Sequence, residues 1–370
     1  MLNSLYLKNF KCYLDRTILF SNLTVFSGIN GAGKSTAIQA LLFLRQMFYD
    51  RTPKTGELVN LNGELVCFGN VYDILSHWLT GRDKQAITMT AVDTQGHTLN
   101  TIFKRTEGEE FLRQMSLEEV SIASMNLLNK DFVYLSAERS GPRVSFNVPD
   151  ERSALNKYGA YGEYIPYYLA CNEAKTISNS KLQEKLAEPE ENNFRIQLEN
   201  CFSALGKDVR IHADYQTAVE KISLTFAFHG KSGWGKEYRP INVGFGMTYA
   251  LPVYVALLLA NPGDLVIVEN PEAHLHPKGQ VAIGRFIALA AASGIQVIIE
   301  THSDHVLNGI RLAVKKEEVK NTAIKLNFIV NGDSAESVEI VSPNIMPSGR
   351  IDVWPEGFFD EYENTLAELF

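Results

Sequence analysis

A mixed α/β fold wrapped around a phosphate-binding loop is predicted by three stretches of this 370-residue chain. Residues 28–36 read Gly-Ile-Asn-Gly-Ala-Gly-Lys-Ser-Thr, a complete G-x-x-x-x-G-K-[ST] pattern. Leu265-Val266-Ile267-Val268-Glu269 is an apolar run closed by an acid. That is how a buried parallel strand reads when it delivers a carboxylate at its C-terminal end, where ligands of α/β proteins sit. A second such strand begins at Ile295 and presents His302 at its end.

Residues 2–27 read as short strands, with Leu5, Leu7 and Phe10 alternating before Ile18 to Phe20 and Thr24 to Phe26. Leu23 to Phe26 leads into the loop, and Lys34 to Phe48 has the length and apolar spacing of a helix. A polyphosphate would therefore meet a helix N-terminus, whose dipole favours negative charge. The backbone N–H groups of Asn30, Gly31, Ala32 and Gly33 can turn inward around it where larger side chains would collide. Lys34 supplies charge to the β- and γ-phosphates, the Ser35 hydroxyl is a ligand for Mg²⁺, and Thr36 completes the motif.

Beyond the helix, Ile87 to Phe111 alternates around Gln95-Gly96-His97 as a hairpin or meander. Phe132 to Leu135 is a buried-strand candidate. Residues 150–212 change character, because the polar stretch Glu173 to Asn193, with Glu188-Pro189-Glu190-Glu191, interrupts two helical segments. Alternation returns at Ile222 to Phe228. Asn242 to Thr248 is a Gly-rich turn before an apolar helix, Tyr249 to Ala260, which feeds the Glu269 strand. A helix from Gly279 to Ser293 separates that strand from the one ending at His302.

Composition narrows the class. Net charge is −8, so no global basic field draws the chain to nucleic acid or acidic membranes. The longest apolar run, Tyr249 to Ala260, is too short to cross a bilayer. The N-terminus has no secretory pattern, and Cys12, Cys67, Cys171 and Cys201 form no C-x-x-C pair. A cytoplasmic protein without disulfides or membrane association is expected.

The phosphate loop, the turn at 242–248, the Glu269 strand, the Leu275-His276 loop and His302 follow one another in an order that resembles the ABC-type ATPase head. The stretches "LKNFK", "ENPEAHLHP" and "ETHSDH" are similar to those of its SMC, RecF and OLD branch. The resemblance spans nearly the whole chain. It implies a P-loop NTPase head with a mixed β-sheet, an antiparallel β-subdomain and a helical lobe. The head would comprise 1–149 and 213–370, with the lobe inserted at 150–212.

The resemblance further implies that ATP and Mg²⁺ bind between two copies of the chain, as a homodimer or higher oligomer. Gly244, Gly246 and Thr248 would then face the partner's nucleotide, with Thr248 in the place of a signature serine. Glu269 would hold Mg²⁺, and His302 would contact the γ-phosphate. Two departures matter. Asn270 stands where these heads have a second acid, and an amide can orient water but cannot accept its proton. Glu272 is the nearest substitute base. His276 stands where the loop crossing the dimer has Asp. Slow hydrolysis is expected, which suits a switch. His274, His276, His302 and His305 also invite a zinc reading, although the ATPase motifs already account for each pair.

OLD nucleases carry a Toprim domain after the head, and Val306 to Phe370 is too short for one. The resemblance thus implies an ATPase switch acting on a separate nuclease-like effector in antiphage defence or a toxin-like system. A DNA-binding RecF-like repair ATPase is the rival, and a non-hydrolysing scaffold is a third reading. The tail with Trp354, Phe358 and Phe359 resembles one of unassigned function in stand-alone bacterial ATPases of this branch. Its aromatics bury either on their own head or on a partner. Arg139 and Arg143 reach phosphate or nucleic acid, or else form structural ion pairs. Arg311, Lys315, Lys316 and Lys320 read as a solvated face.

Overall fold

The computed structural model describes residues 1–49, 53–76, 85–106, 110–120, 125–149, 155–177, 182, 192–206, 208–332, 338–359, 365 and 369. Two compact units make up the chain: residues 1–132, 324–344 and 351–370 form the first, and residues 133–323 and 345–350 the second. The stretch 150–212, expected as an inserted lobe, falls inside the second unit. Its polar run at Glu188 to Glu191, like Asp360 and Glu361 of the tail, lies outside the described residues.

The first unit opens with β1 (Leu2–Phe10), β2 (Tyr13–Leu19) and β3 (Leu23–Gly28), followed by α1 (Lys34–Phe48). It continues with β4 (Ala86–Asp93), β5 (Thr98–Arg105) and β6 (Leu112–Val120). The expected meander is present as an antiparallel sheet in the order β2-β1-β4-β5-β6. Strict alternation of buried Ile87, Met89 and Ala91 with half-exposed neighbours gives it one apolar face. Helix α1 is buried along almost its entire length, Arg45 included. That guanidinium donates to the carbonyls of Leu127 and Asn129 at 2.7 and 2.8 Å and lies 4.2 Å from the rings of Tyr49 and Phe132. Burial lowers its pKa to about 10, which still leaves it charged at neutral pH.

The second unit begins with β7 (Val133–Leu135) and β8 (Phe146–Asn147), then α2 (Ile165–Asn172) and α3 (Phe194–Ala204). Strands β9 (Val209–Gln216), β10 (Lys221–Gly230) and β11 (Gly233–Tyr238) follow, with β10 antiparallel to β8, β9 and β11. The remaining elements are α4 (Phe245–Leu259), β12 (Leu265–Glu269), α5 (Pro277–Ala292), β13 (Gln296–Glu300) and α6 (Asp304–Lys315). Both apolar runs are the parallel strands expected: β12 lies between β7 and β13, and Glu269 is in register with Glu300. The chain then returns to the first unit as β14 (Ile324–Asn331), parallel to β3, and β15 (Val338–Val341), antiparallel to β14. That mixed sheet was also anticipated.

Two sequence expectations need correction. Helix α4 starts at Phe245, not Tyr249, so Gly246 and Thr248 belong to its first turn rather than to a preceding loop. Nothing in the sequence breaks the helix there: Gly244 is the N-cap, and the Thr248 hydroxyl donates to the Phe245 carbonyl at 2.9 Å. Arg311 is not part of a solvated face. Its guanidinium donates to the Gly349 carbonyl at 2.8 Å and to Asn308 Oδ1 at 2.7 Å.

Helices α5 and α6 approach closely because each offers a glycine to the other's backbone. A Cβ on Gly284 would lie 2.2 Å from the Val306 carbonyl oxygen, and one on Gly309 would lie 2.2 Å from that of Val281. Gly284→Ala is expected to cost about 1–3 kcal/mol of the second unit's stability through overpacking. Urea denaturation measures this, and an unshifted midpoint would refute the close-packing account.

Candidate nucleotide-binding site

The first unit supplies the phosphate loop. Gly33 is the N-cap of α1 at φ 111°, a left-handed backbone that favours glycine, and no side chain caps the helix. The first-turn N–H groups and the positive end of the dipole are thus presented without a competing acid. The loop is braced from both sides. A Cβ on Gly28 would sit 2.1 Å from the Ile329 carbonyl oxygen of β14, and one on Gly33 would sit 2.6 Å from Cys12 Sγ. The Tyr13 hydroxyl donates to the Gly33 carbonyl at 3.0 Å. Lys34 is nearly buried, and its Nζ donates to the carbonyls of Gly28 and Ile29 at 2.9 and 2.8 Å. Asn30, Gly31 and Ser35 are exposed, Ala32 is buried and Thr36 half-buried. The Thr36 side chain hydrogen-bonds Cys12. This uncapped backbone turn with one ammonium suits a polyphosphate; neighbours leave no room for a Cβ on Gly28 or Gly33, whereas Gly31 borders open space.

The carboxylates belong to the second unit. Glu269 Oε2 accepts from the Ala137 N–H at 3.1 Å, and its carboxyl also hydrogen-bonds the Tyr134 side chain. Burial raises the Glu269 pKa, against those bonds and the charge of Arg139. Burial beside Glu269 and Glu300 in turn pushes the Tyr134 phenol well up. The sequence allows Arg139 either a phosphate contact or a structural ion pair. It is 3% exposed, and its guanidinium donates to the backbone carbonyls of Glu269 at 2.7 Å and Asn270 at 3.0 Å. It therefore holds the end of β12 and faces the charges of Glu272 and Glu269. Burial lowers its pKa to about 10, so it stays cationic at neutral pH. Arg143 is exposed and bonds the Ser140 carbonyl of its own turn.

Asn270 adopts φ 44°, and its N–H donates to the Glu300 carbonyl at 2.8 Å. Glu272 spans to the end of β13: Oε2 accepts from the Thr301 hydroxyl at 2.8 Å and Oε1 from the His302 N–H at 3.0 Å. Glu269, Asn270, Glu272 and His302 are thereby brought together at the C-terminal ends of two parallel strands. The His302 ring is exposed beside Ser303, the N-cap of α6. The predicted signature residues pack on the same loop. A Cβ on Gly246 would lie 2.7 Å from the His274 carbonyl oxygen, and the His274 ring stands edge-on to Tyr249, centroids 4.4 Å apart. Gly244 caps the helix and Thr248 is buried, its hydroxyl engaged within the turn. His276 caps α5, and His305 Nδ1 lies 3.6 Å from Asp304. Among the described residues, no three His, Cys, Asp or Glu side chains are grouped to hold a metal ion.

Sequence reasoning passed over Tyr134, Glu300 and Thr301. A signal for Glu300 existed, since two apolar strands in tandem each end in Glu.

An AAA-domain family model matches residues 4–223, more than half of the chain. The chain belongs to the AAA-domain family. A second model, described as "AAA domain, putative AbiEii toxin, Type IV TA system", matches residues 162–308 of this AAA-domain protein. A third, described as a protein of unknown function, matches residues 319–369. Residues of the chain are 41% identical over 63 positions to the DNA replication and repair protein RecF of Acetivibrio thermocellus. That match spans 17% of the chain and 17% of the relative's length. An SMC head solved bound to the C-winged helix domain of ScpA superposes with a TM-score of 0.50 at 13% identity, covering 93% of this chain and 98% of that one. The SMC head domain from Thermotoga maritima gives 0.46 at 15% identity, covering 92% and 98%. The fold is that of an SMC head domain. No helix among the described residues is long and apolar enough to cross a membrane.

Proposed function

We propose that this AAA-domain protein is an ATP-driven switch: two copies close around ATP, and closure or slow hydrolysis controls a separate effector protein. The observation that carries the reading is the braced phosphate loop, whose uncapped helix N-terminus and buried Lys34 are organised in advance for a triphosphate. On binding, Lys34 exchanges two carbonyl acceptors for phosphate oxygens. The Ser35 hydroxyl and the Glu269 carboxylate are hard oxygen donors of the kind Mg²⁺ takes, and the ion would neutralise charge shared by the β- and γ-phosphates.

Glu272 acts as base, held by Thr301 and the His302 N–H, while Asn270 orients water without accepting its proton. His302 contacts the γ-phosphate, and Gly244 and Gly246 face the nucleotide of the other copy, while the buried Thr248 holds their turn through its bond to the Phe245 carbonyl. The family description naming a putative toxin of a type IV TA system supports a place in a toxin-like system. The RecF match supports the rival reading of a DNA-dependent repair ATPase.

Steady-state ATPase measurements with and without duplex DNA test these readings. Basal turnover indifferent to DNA is expected. Strong stimulation would favour the repair enzyme, and no turnover a scaffold. Glu272→Gln keeps the shape, with the amide oxygen still accepting from the His302 N–H and the amide nitrogen donating to the Thr301 hydroxyl, but removes the base, so turnover should fall about 10²–10⁴-fold and an ATP-bound dimer should accumulate in sedimentation. Unchanged turnover rejects Glu272 as the base.

A further inference from the structure

The expected solvated cationic face holds for the exposed Lys315, Lys316 and Lys320 but not for Arg311, and part of that face lines a concavity. Arg311 and Lys315, one turn apart, face the turn Met346 to Arg350, and together these residues enclose a cleft of about 360 Å³. The turn is rigidly built. Met346 N–H donates to the Arg350 carbonyl at 2.7 Å, Gly349 N–H to the Met346 carbonyl at 2.8 Å, and Arg311 pins the Gly349 carbonyl. A Cβ on Gly349 would meet the Arg311 carbonyl oxygen at 2.8 Å, so glycine lets the turn sit against the helix.

The result is three cations from two elements around one hollow, with the Ser348 and Asn308 side chains at its wall and no carboxylate among the described lining residues. Lys315 and Arg350 are exposed, and neither is in an ion pair among the described residues. In a chain of net charge −8 this is a local reversal of sign. Like charges converging on a hollow repel one another, and a multiply charged anion relieves that repulsion. Arginine and lysine together suit phosphate, the guanidinium as a fork and the ammonium as a point charge.

We infer that Arg311, Lys315 and Arg350 form a second anion site that takes a phosphate-bearing ligand, built from residues that take no part in the proposed ATP chemistry. The shared chemistry is the phosphate group, whether from a nucleic-acid backbone or from a free phosphorylated small molecule.

The test uses the full chain carrying Lys34→Ala, which silences the phosphate loop, so the result stands apart from the switch reading. Fluorescence anisotropy follows a labelled single-stranded 20-nucleotide DNA, with inorganic pyrophosphate and unlabelled DNA as competitors. Adding Lys315→Glu and Arg350→Glu should weaken binding at least ten-fold and reduce the salt slope by about 1.4, the loss of two phosphate contacts on a single strand. Lys315→Gln with Arg350→Gln should lose affinity to an intermediate extent, with circular dichroism unchanged. Displacement by pyrophosphate assigns a free phosphate ligand, whereas displacement by unlabelled DNA alone assigns the nucleic-acid backbone. The proposal is overturned if neither probe binds, if the charge-reversed protein binds like its parent, or if Lys231→Glu with Lys236→Glu on the β10–β11 hairpin weakens binding equally.

Discussion

Replacing Arg139 by alanine is expected to lower the stability of the second unit by about 3–5 kcal/mol, the range for removing one partner of a buried charged network. The guanidinium is 3% exposed, and it satisfies the carbonyls of Glu269 and Asn270 where β12 ends. Its loss leaves those acceptors buried and the charges of Glu269 and Glu272 without a nearby cation. Because the guanidinium itself is buried, the penalty is not screened as that of a surface pair would be. Arg139→Lys retains the charge and one donor direction and should lose less. Denaturant unfolding of the alanine, lysine and parent proteins measures the series. A loss below about 1 kcal/mol for alanine would mean that Arg139 supports nothing at the end of β12.

Lys34→Ala is expected to raise the dissociation constant for ATP by about 10²–10⁴-fold, from the loss of charge-assisted bonds worth about 1.5–3 kcal/mol each. In the free protein those bonds go to the Gly28 and Ile29 carbonyls, which face into the loop and can be served by water once the lysine is gone. Stability without nucleotide should therefore change little, while the rise in melting temperature on adding ATP disappears. Titration with a fluorescent ATP analogue checks the affinity. An ATP-induced thermal shift as large as the parent's would remove the phosphate loop from the mechanism.

The parts legible from the residues alone share a physical character. Strands β1, β3, β12 and β13 and helix α1 were readable because apolar period and length specify burial locally. The phosphate loop was readable because glycine, lysine and hydroxyl at set spacing answer a requirement of the ligand itself. The start of α4 was misjudged because glycine does not stop a helix whose first turn is supported by side-chain and tertiary contacts. Thr248 and Gly246 bond and pack where the linear sequence shows only a Gly-rich turn.

Arg139 shows where local reading ends. Its neighbours, Glu138, Ser140 and Pro142, describe a polar surface turn, and only the parallel pairing of β7 with β12 carries that turn over the carbonyls of Glu269 and Asn270. Arg311 and Arg350 are the same lesson at the chain's other end, since 38 residues separate Arg311 from the Gly349 carbonyl that it holds. What the amino-acid order determined by itself was the glycine-rich loop before α1 and the two acid-ended strands. Those depend on contacts within a few residues or on a ligand's fixed demands. What the tertiary structure decided was which charges are buried against backbone and which converge on an open cleft. That distinction depends on segments far apart in sequence, and on burial that no single stretch encodes.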